Sequence, residues 1–215
     1  MIFEVGFVCG QRGMGKTRYI LGVLAGEPRF LIFDHMGEFS RHMRDGRLSA
    51  KPSTDLEELA DQLDRNAGHG IARLCYQPDY ARIHADFKAL CRLLMVAERR
   101  GMVLVVDEID QFAGSVRPPA PAELLRVIHL GRHRGIRVLA AARRAADVSR
   151  ALTSQADRVV SFRQTEPGDL KYLRSLIGAD VAALPKLRRL CYLEADRGAV
   201  RFSQLPDLTA VSQTG

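Results

Sequence analysis

The sequence predicts an α/β fold, a mainly parallel sheet flanked by helices and finished by a C-terminal β-hairpin. Three observations carry that prediction. Short apolar runs rich in β-branched and aromatic residues alternate with helical patterns along most of the chain, the order expected of a parallel sheet covered on both faces. The first run, residues 2–9, leads directly into Gly10-Gln11-Arg12-Gly13-Met14-Gly15-Lys16-Thr17, which fits G-x-x-x-x-G-K-[ST], a phosphate-binding loop between a strand and a helix. A later apolar run, Met102-Val-Leu-Val-Val, ends in Asp107-Glu108.

Taken in order, residues 2–9 read as a buried strand and 17–25 as a helix stopped at Gly26. Arg29-Phe-Leu-Ile-Phe-Asp34 is a second strand ending in a carboxylate, followed by His35-Met-Gly-Glu-Phe39 and a polar loop containing Gly46 and Pro52. Thr54-Asp-Leu-Glu57 fits a capping box, with Leu56, Leu59, Ala60 and Leu63 as the helical stripe behind it. Gly68-His-Gly70 breaks that helix, and residues 71–76 read as a strand stopped before Pro78. A helix is predicted over 85–100, with Phe87, Leu90, Cys91 and Leu94 inward and Gly101 as its stop. After the strand at 102–106 and a Pro/Gly-containing loop at 111–121, Pro121 opens a helix whose apolar side is Leu124, Leu125 and Ile128. Then come the basic turn Gly131-Arg-His-Arg-Gly135, a strand over 136–142, a short helix near 147–152 and a strand at 158–162. Residues 166–177 read as helix, and 190–194 with 200–203 as a hairpin turning at Asp196-Arg-Gly198.

With 215 residues, 47% hydrophobic and 27% charged, the chain has the composition of a globular protein with a substantial core, and one domain is the natural count. The core is expected over about 2–165 and an extension over about 166–215. No apolar run reaches the length of a membrane span, and Met1 leads straight into the first strand; a cytosolic protein without signal peptide or anchor is therefore expected. The four cysteines, Cys9, Cys75, Cys91 and Cys191, are scattered without metal-ligand spacing and read as buried thiols. A net charge of +7 suggests an anionic partner, although arginine-rich coding bias would give the same balance.

In the phosphate loop, the glycines let the backbone fold around an oligophosphate and aim its N–H groups inward. Residues 10–18, ending in Arg18, are the candidate nucleotide-binding segment. Lys16 would reach the terminal phosphates and Thr17 would ligate Mg²⁺. A helix starting near Gly15 adds its positive dipole end to the same anion. Asp107 would hold Mg²⁺ through water, and Glu108 would polarise an attacking water. The second carboxylate points to hydrolysis of ATP rather than transfer to a bound hydroxyl. His129 and His133 carry no metal-ligand spacing and read as solvated. The loop Phe112-Ala-Gly-Ser-Val-Arg117-Pro-Pro reads either as a pore-facing DNA contact or as a plain surface loop. No base-reading module is visible, so any DNA contact would be to the backbone.

From about residue 2 to 165 the chain resembles the FtsK/HerA superfamily of DNA-pumping ATPases, in particular its small viral genome-packaging members. Beyond the phosphate loop and Asp107-Glu108, three stretches carry the likeness. Phe33-Asp34-His-Met-Gly37-Glu38-Phe39 resembles the family's Asp-Pro-x-Gly-Glu-Tyr segment. Gly131-Arg132-His-Arg134-Gly135-Ile136 resembles its Gly-Arg-x-x-Gly-Ile turn, and Val138-Leu-Ala-Ala-Ala-Arg143-Arg144-Ala its fourth core strand with an Ala-Thr-Gln-Arg-Pro ending. The resemblance implies a RecA-like sheet of the additional-strand class and an ATP- and Mg²⁺-dependent motor. It also implies a homo-oligomeric ring, pentamer or hexamer, acting on double-stranded DNA. Docking to a capsid vertex or portal-like protein, and a place in the host cytoplasm or with the virion, would follow for a viral member. It further implies that Arg132 is a finger reaching the neighbouring subunit's nucleotide; Arg134 could take that role, and a basic cap on the preceding helix is the plainer alternative. Arg143 stands where the family has a Gln sensor. It is open between a cis sensor, a DNA contact and a solvated strand end, and Ala145 replaces the family's Pro. The rival functions are a Zot-like phage assembly or secretion ATPase, a small-molecule phosphotransferase and a nucleotide-dependent switch.

Overall fold

The computed structural model describes residues 3–67, 69–97 and 101–206. Its strands are β1 (Val5–Cys9), β2 (Arg29–Phe33), β3 (Lys51–Ser53), β4 (Ala72–Tyr76), β5 (Met102–Val106), β6 (Ile136–Ala142), β7 (Arg158–Ser161), β8 (Cys191–Asp196) and β9 (Ala199–Gln204). They form a single nine-stranded sheet in the order β3-β4-β2-β5-β6-β1-β7-β8-β9. Pairing is parallel from β3 through β7 and antiparallel for β8 and β9. The helices are α1 (Lys16–Ala25), α2 (Glu38–Arg44), α3 (Leu56–Asn66), α4 (Ile83–Ala97), α5 (Ala122–Leu130), α6 (Arg150–Thr153) and α7 (Pro167–Ile177).

Because side chains alternate along a strand, the central strands feed two cores at once. From β5, Met102, Leu104 and Val106 join the core under α3, α4, α5, α6 and α7. Val103 and Val105 face the opposite way, with Tyr19, Ile20 and Leu24 of α1 and Phe39 of α2. That two-sided burial is why β1, β2 and β5 are continuous apolar runs, and the predicted fold class is the one observed.

The elements that differ from the sequence reading do so for local reasons. Residues 38–44, where no helix is predicted and the polar loop after Phe39 begins, form α2. The buried Asp34 carboxylate accepts the N–H groups of Phe39 (3.2 Å) and Ser40 (2.7 Å) and the Ser40 hydroxyl (2.6 Å), which supplies the missing cap. Burying Phe39, worth about 1.5–3 kcal/mol, outweighs the weakness of a seven-residue helix. Pro52 also sits in a strand, β3, at the sheet edge where its missing N–H costs no ladder bond.

At α3 the cap is Asp55, which accepts from Glu57 and Glu58 N–H, rather than Thr54 paired with Glu57. Val127 lies on the buried side of α5, whereas Leu125 is only half-buried. Phe112 is core, stacked edge-on to Phe33 and against Phe87, so the exposed part of its loop begins only at the tip, 115–117. The predicted start at Ile2, the break at Gly68, the helix end at 98–100 and the last part of the extension, 207–215, lie outside the described residues.

Candidate active site

The site forms at the carboxyl ends of β1, β5 and β6, the end at which open α/β sheets bind ligands. The strand order puts β6 between β1 and β5, so the phosphate loop leaving β1 and the acidic pair leaving β5 face each other across one intervening strand. Between them opens a cavity of about 1010 Å³, lined by Arg12, Gly13, Gly15, Lys16, Thr17 and Arg18 on one side and Glu38, Asp107, Glu108 and Arg143 on the other.

The loop has the backbone that glycine alone accepts easily. Gly10 has φ +148, and a Cβ there would lie 2.5 Å from the Phe162 Cβ; Gly15 has φ +123 as it opens α1. No side chain caps α1 and its first turn holds no acid, so its free N–H groups and positive dipole end are available to an anion. Lys16 Nζ donates to the Gly10 carbonyl oxygen at 2.9 Å, folding the ammonium back over the loop.

Gly10, Gln11 and Met14, placed in the binding segment by the sequence, are absent from the cavity lining and fasten the loop to the fold. The Gln11 N–H donates to the Arg163 carbonyl oxygen at 3.1 Å and its amide to Thr165 Oγ1 at 2.8 Å. Leu190, leading into β8, donates its N–H to the Met14 carbonyl oxygen at 2.9 Å. The C-terminal hairpin thus extends the sheet and also braces the phosphate loop.

Asp107 is 6% exposed, and one of its oxygens accepts the Glu108 N–H at 2.9 Å. Burial pushes its carboxyl up to about 6, and the charges of Glu108 and Glu38 push the same way. The Lys16 ammonium offsets that push only in part. Asp107 and the Thr17 hydroxyl together make an all-oxygen donor set, the kind Mg²⁺ takes. Among the described residues no three acidic, His or Cys side chains form a ready metal cage.

The charge has a cost in stability. An acid whose folded pKa is raised destabilises the fold wherever it is ionised, above about 6, and the penalty disappears as pH falls through its ordinary value of 3.8. Asp107→Asn is therefore expected to stabilise the metal-free protein at pH 8 by on the order of 1–3 kcal/mol. Thermal melts should show that gain shrinking as pH falls below about 6 and gone once pH is well below 3.8.

Glu108 adopts a left-handed backbone, φ 46 and ψ 48, a strained conformation for this residue. Its Oε1 accepts the Arg143 Nε–H at 2.8 Å, and the Arg143 carbonyl oxygen is held in turn by Gln164 Nε2 at 2.9 Å. Arg143 is exposed at the end of β6 and lies beside the acidic pair. Arg144 turns away to the buried Asp169 at 3.2 Å.

Arg132 and Arg134 do not join this site. Their 3₁₀ turn, Gly131–Arg134, precedes β6 at the opposite end of the sheet, and both are exposed, as are His129 and His133. No local pattern in the sequence marks Glu38 as a site residue, yet Thr17 Oγ1 donates to Glu38 Oε1 at 2.8 Å. The signal was the resemblance of residues 33–39, which marked the segment without saying what it touches.

No family model matches the chain, and no curated protein matches it. Solved structures do. The chain is similar to the genome packaging NTPase B204 of Sulfolobus turreted icosahedral virus 2 in complex with AMPPCP, at 19% identity and TM-score 0.73 over 95% of this chain and 98% of that one. It is similar to VirB4 of Thermoanaerobacter pseudethanolicus at 12% identity and TM-score 0.66, over 97% of this chain and 91% of that one. The N-terminal domain of zonular occludens toxin from Neisseria meningitidis aligns at 14% identity and TM-score 0.51, over 96% of each chain. At these identities the likeness establishes a shared fold, that of the P-loop ATPases.

Proposed function

We propose that this chain is a single-domain, Mg²⁺-dependent ATPase that assembles as a homo-oligomeric ring and moves double-stranded DNA, packaging a viral genome into a capsid. The observation that carries the reading is the meeting of Lys16 and Thr17 with Asp107 and Glu108 in one cavity across β6. Near full-length similarity to B204, a genome packaging NTPase, supports the choice of cargo.

In this reading the N–H groups of Gly13, Gly15 and Lys16 and the Lys16 ammonium bind the phosphates. Thr17 and Asp107 would hold Mg²⁺, which would supply charge neutralisation for the phosphates. Glu108 orients and deprotonates the attacking water, while Arg143, already beside it, contacts the γ-phosphate in cis. The exposed tip at 115–117 leaves the same end of the sheet as the nucleotide site, and Arg117 on it would touch DNA phosphates.

The Zot-like reading has one observation in its favour, the alignment to zonular occludens toxin. No helix among the described residues is long and apolar enough to cross a membrane. Duplex DNA separates these readings from each other and from a phosphotransferase or switch. ATP turnover should rise when duplex is added, whatever its sequence. Because only backbone contacts are invoked, DNA affinity should fall linearly in log–log form with salt, by a slope of about −0.9 for each phosphate neutralised. Turnover indifferent to DNA, or binding confined to one sequence, would overturn the motor assignment.

A further inference from the structure

We propose that Glu38 is a positioning residue for the nucleotide's cation: it accepts the Thr17 hydroxyl proton and so turns that hydroxyl's lone pairs toward the metal. The inference rests on the Mg²⁺-ATP reading above and assigns a role to a residue outside the phosphate loop and the acidic pair.

A hydroxyl that ligates a cation through a lone pair must point its proton elsewhere, and a fixed acceptor for that proton sets the ligand before the metal arrives. The acceptor in this structure is Glu38 Oε1, 2.8 Å from Thr17 Oγ1. Asp107 is engaged differently, accepting the Glu108 N–H at 2.9 Å.

Glu38 is also held firmly for the task. It opens α2 directly after Gly37, whose φ of +67 makes the turn, and Asp34 pins the next two N–H groups of the helix. A Cβ on Gly37 would lie 3.2 Å from Gln77 Nε2, so that turn is packed as well. The carboxylate therefore arrives from β2, the strand beside β5, on a rigid support. Glu38, Asp107 and Glu108 line the same cavity. Repulsion among carboxylates gathered there is relieved by a divalent cation, so Glu38 adds attraction for the metal as well as orientation.

The test is equilibrium binding of a fluorescent ATP analogue, titrated with Mg²⁺ and repeated in EDTA, for the parental protein, Glu38→Ala and Glu38→Gln. The Mg²⁺ concentration at half-maximal binding should rise about tenfold for Glu38→Ala, the lower end of the range for losing a partner of a metal ligand. Glu38→Gln keeps an acceptor oxygen without the charge, so its shift should be smaller but measurable. Affinity in EDTA should be unchanged or slightly tighter in both, because the phosphate contacts remain. An unshifted midpoint in both variants overturns the proposal, and so does an equal loss with and without Mg²⁺, the mark of a merely structural role. Should Glu38→Ala fail to fold, an unshifted Glu38→Gln decides alone. A parental protein whose binding ignores Mg²⁺ would overturn the metal-dependent reading itself, and this inference with it.

Discussion

A Glu108→Gln chain is expected to bind ATP as the parental chain does and to hydrolyse it about 10²–10⁴-fold more slowly, the range lost with a general base. That range is about 3–5.5 kcal/mol of transition-state stabilisation. The substitution keeps size, shape and an oxygen for the Arg143 Nε–H, which now donates to Glu108 Oε1 at 2.8 Å. It leaves untouched Lys16, Thr17 and the buried Asp107, so phosphate and cation contacts persist. What disappears is the capacity to take a proton from water. With Oε1 engaged by Arg143, the second carboxylate oxygen is the one available to that water. The strained backbone at φ 46 holds this geometry in place, and Gln at the same position inherits the strain, so stability should change little. Turnover in single-turnover and steady-state assays, beside nucleotide binding, checks the prediction. Parental rates with Glu108→Gln would move the base elsewhere.

The parts of this fold that were legible in sequence are those whose cause is local. β1, β2 and β5 are apolar because both faces of the sheet are covered, and the phosphate loop needs glycine at fixed positions whatever surrounds it. α2 was hidden because its cap, Asp34, acts from the end of the preceding strand, before the turn, where a local capping pattern does not look. β3 exists only through its pairing with β4, and nothing in Lys51-Pro-Ser itself demands a strand. The site shows the same division. Lys16, Thr17, Asp107 and Glu108 were legible by motif, but Glu38 meets Thr17 across 21 positions and Arg143 meets Glu108 across 35. Those contacts depend on which strands become neighbours, and periodicity does not encode strand order. The hairpin was visible as a hairpin; its hold on the phosphate loop, through Leu190 and Met14, needed the antiparallel docking of β8 onto β7.

Two inactive chains, Arg132→Ala and Glu108→Gln, should regain ATP turnover when mixed, and the reason lies in the ends of the sheet. Arg132 precedes β6, while the nucleotide cavity opens beyond its far end. The seven residues of β6 span roughly 20 Å at strand rise, farther than an arginine side chain extends. Arg132 therefore cannot serve its own site, and a catalytic role requires a neighbouring subunit. A guanidinium delivered in trans offsets charge developing on the transferred phosphoryl group and is worth about 10³–10⁵ in rate. An Arg132→Ala chain keeps an intact site but presents no finger; a Glu108→Gln chain presents the finger but lacks the base. Random assembly at equal amounts in a closed ring gives about a quarter of interfaces an intact site facing an intact finger. Activity should thus peak near equal mixing and vanish at either pure composition, at concentrations where the ring forms. A monomeric phosphotransferase gives a flat line, because each chain would carry all its catalytic groups. If subunit exchange is verified and no ratio restores turnover, Arg132 is not the finger, and Arg134, exposed on the same turn, is tested by the same mixing.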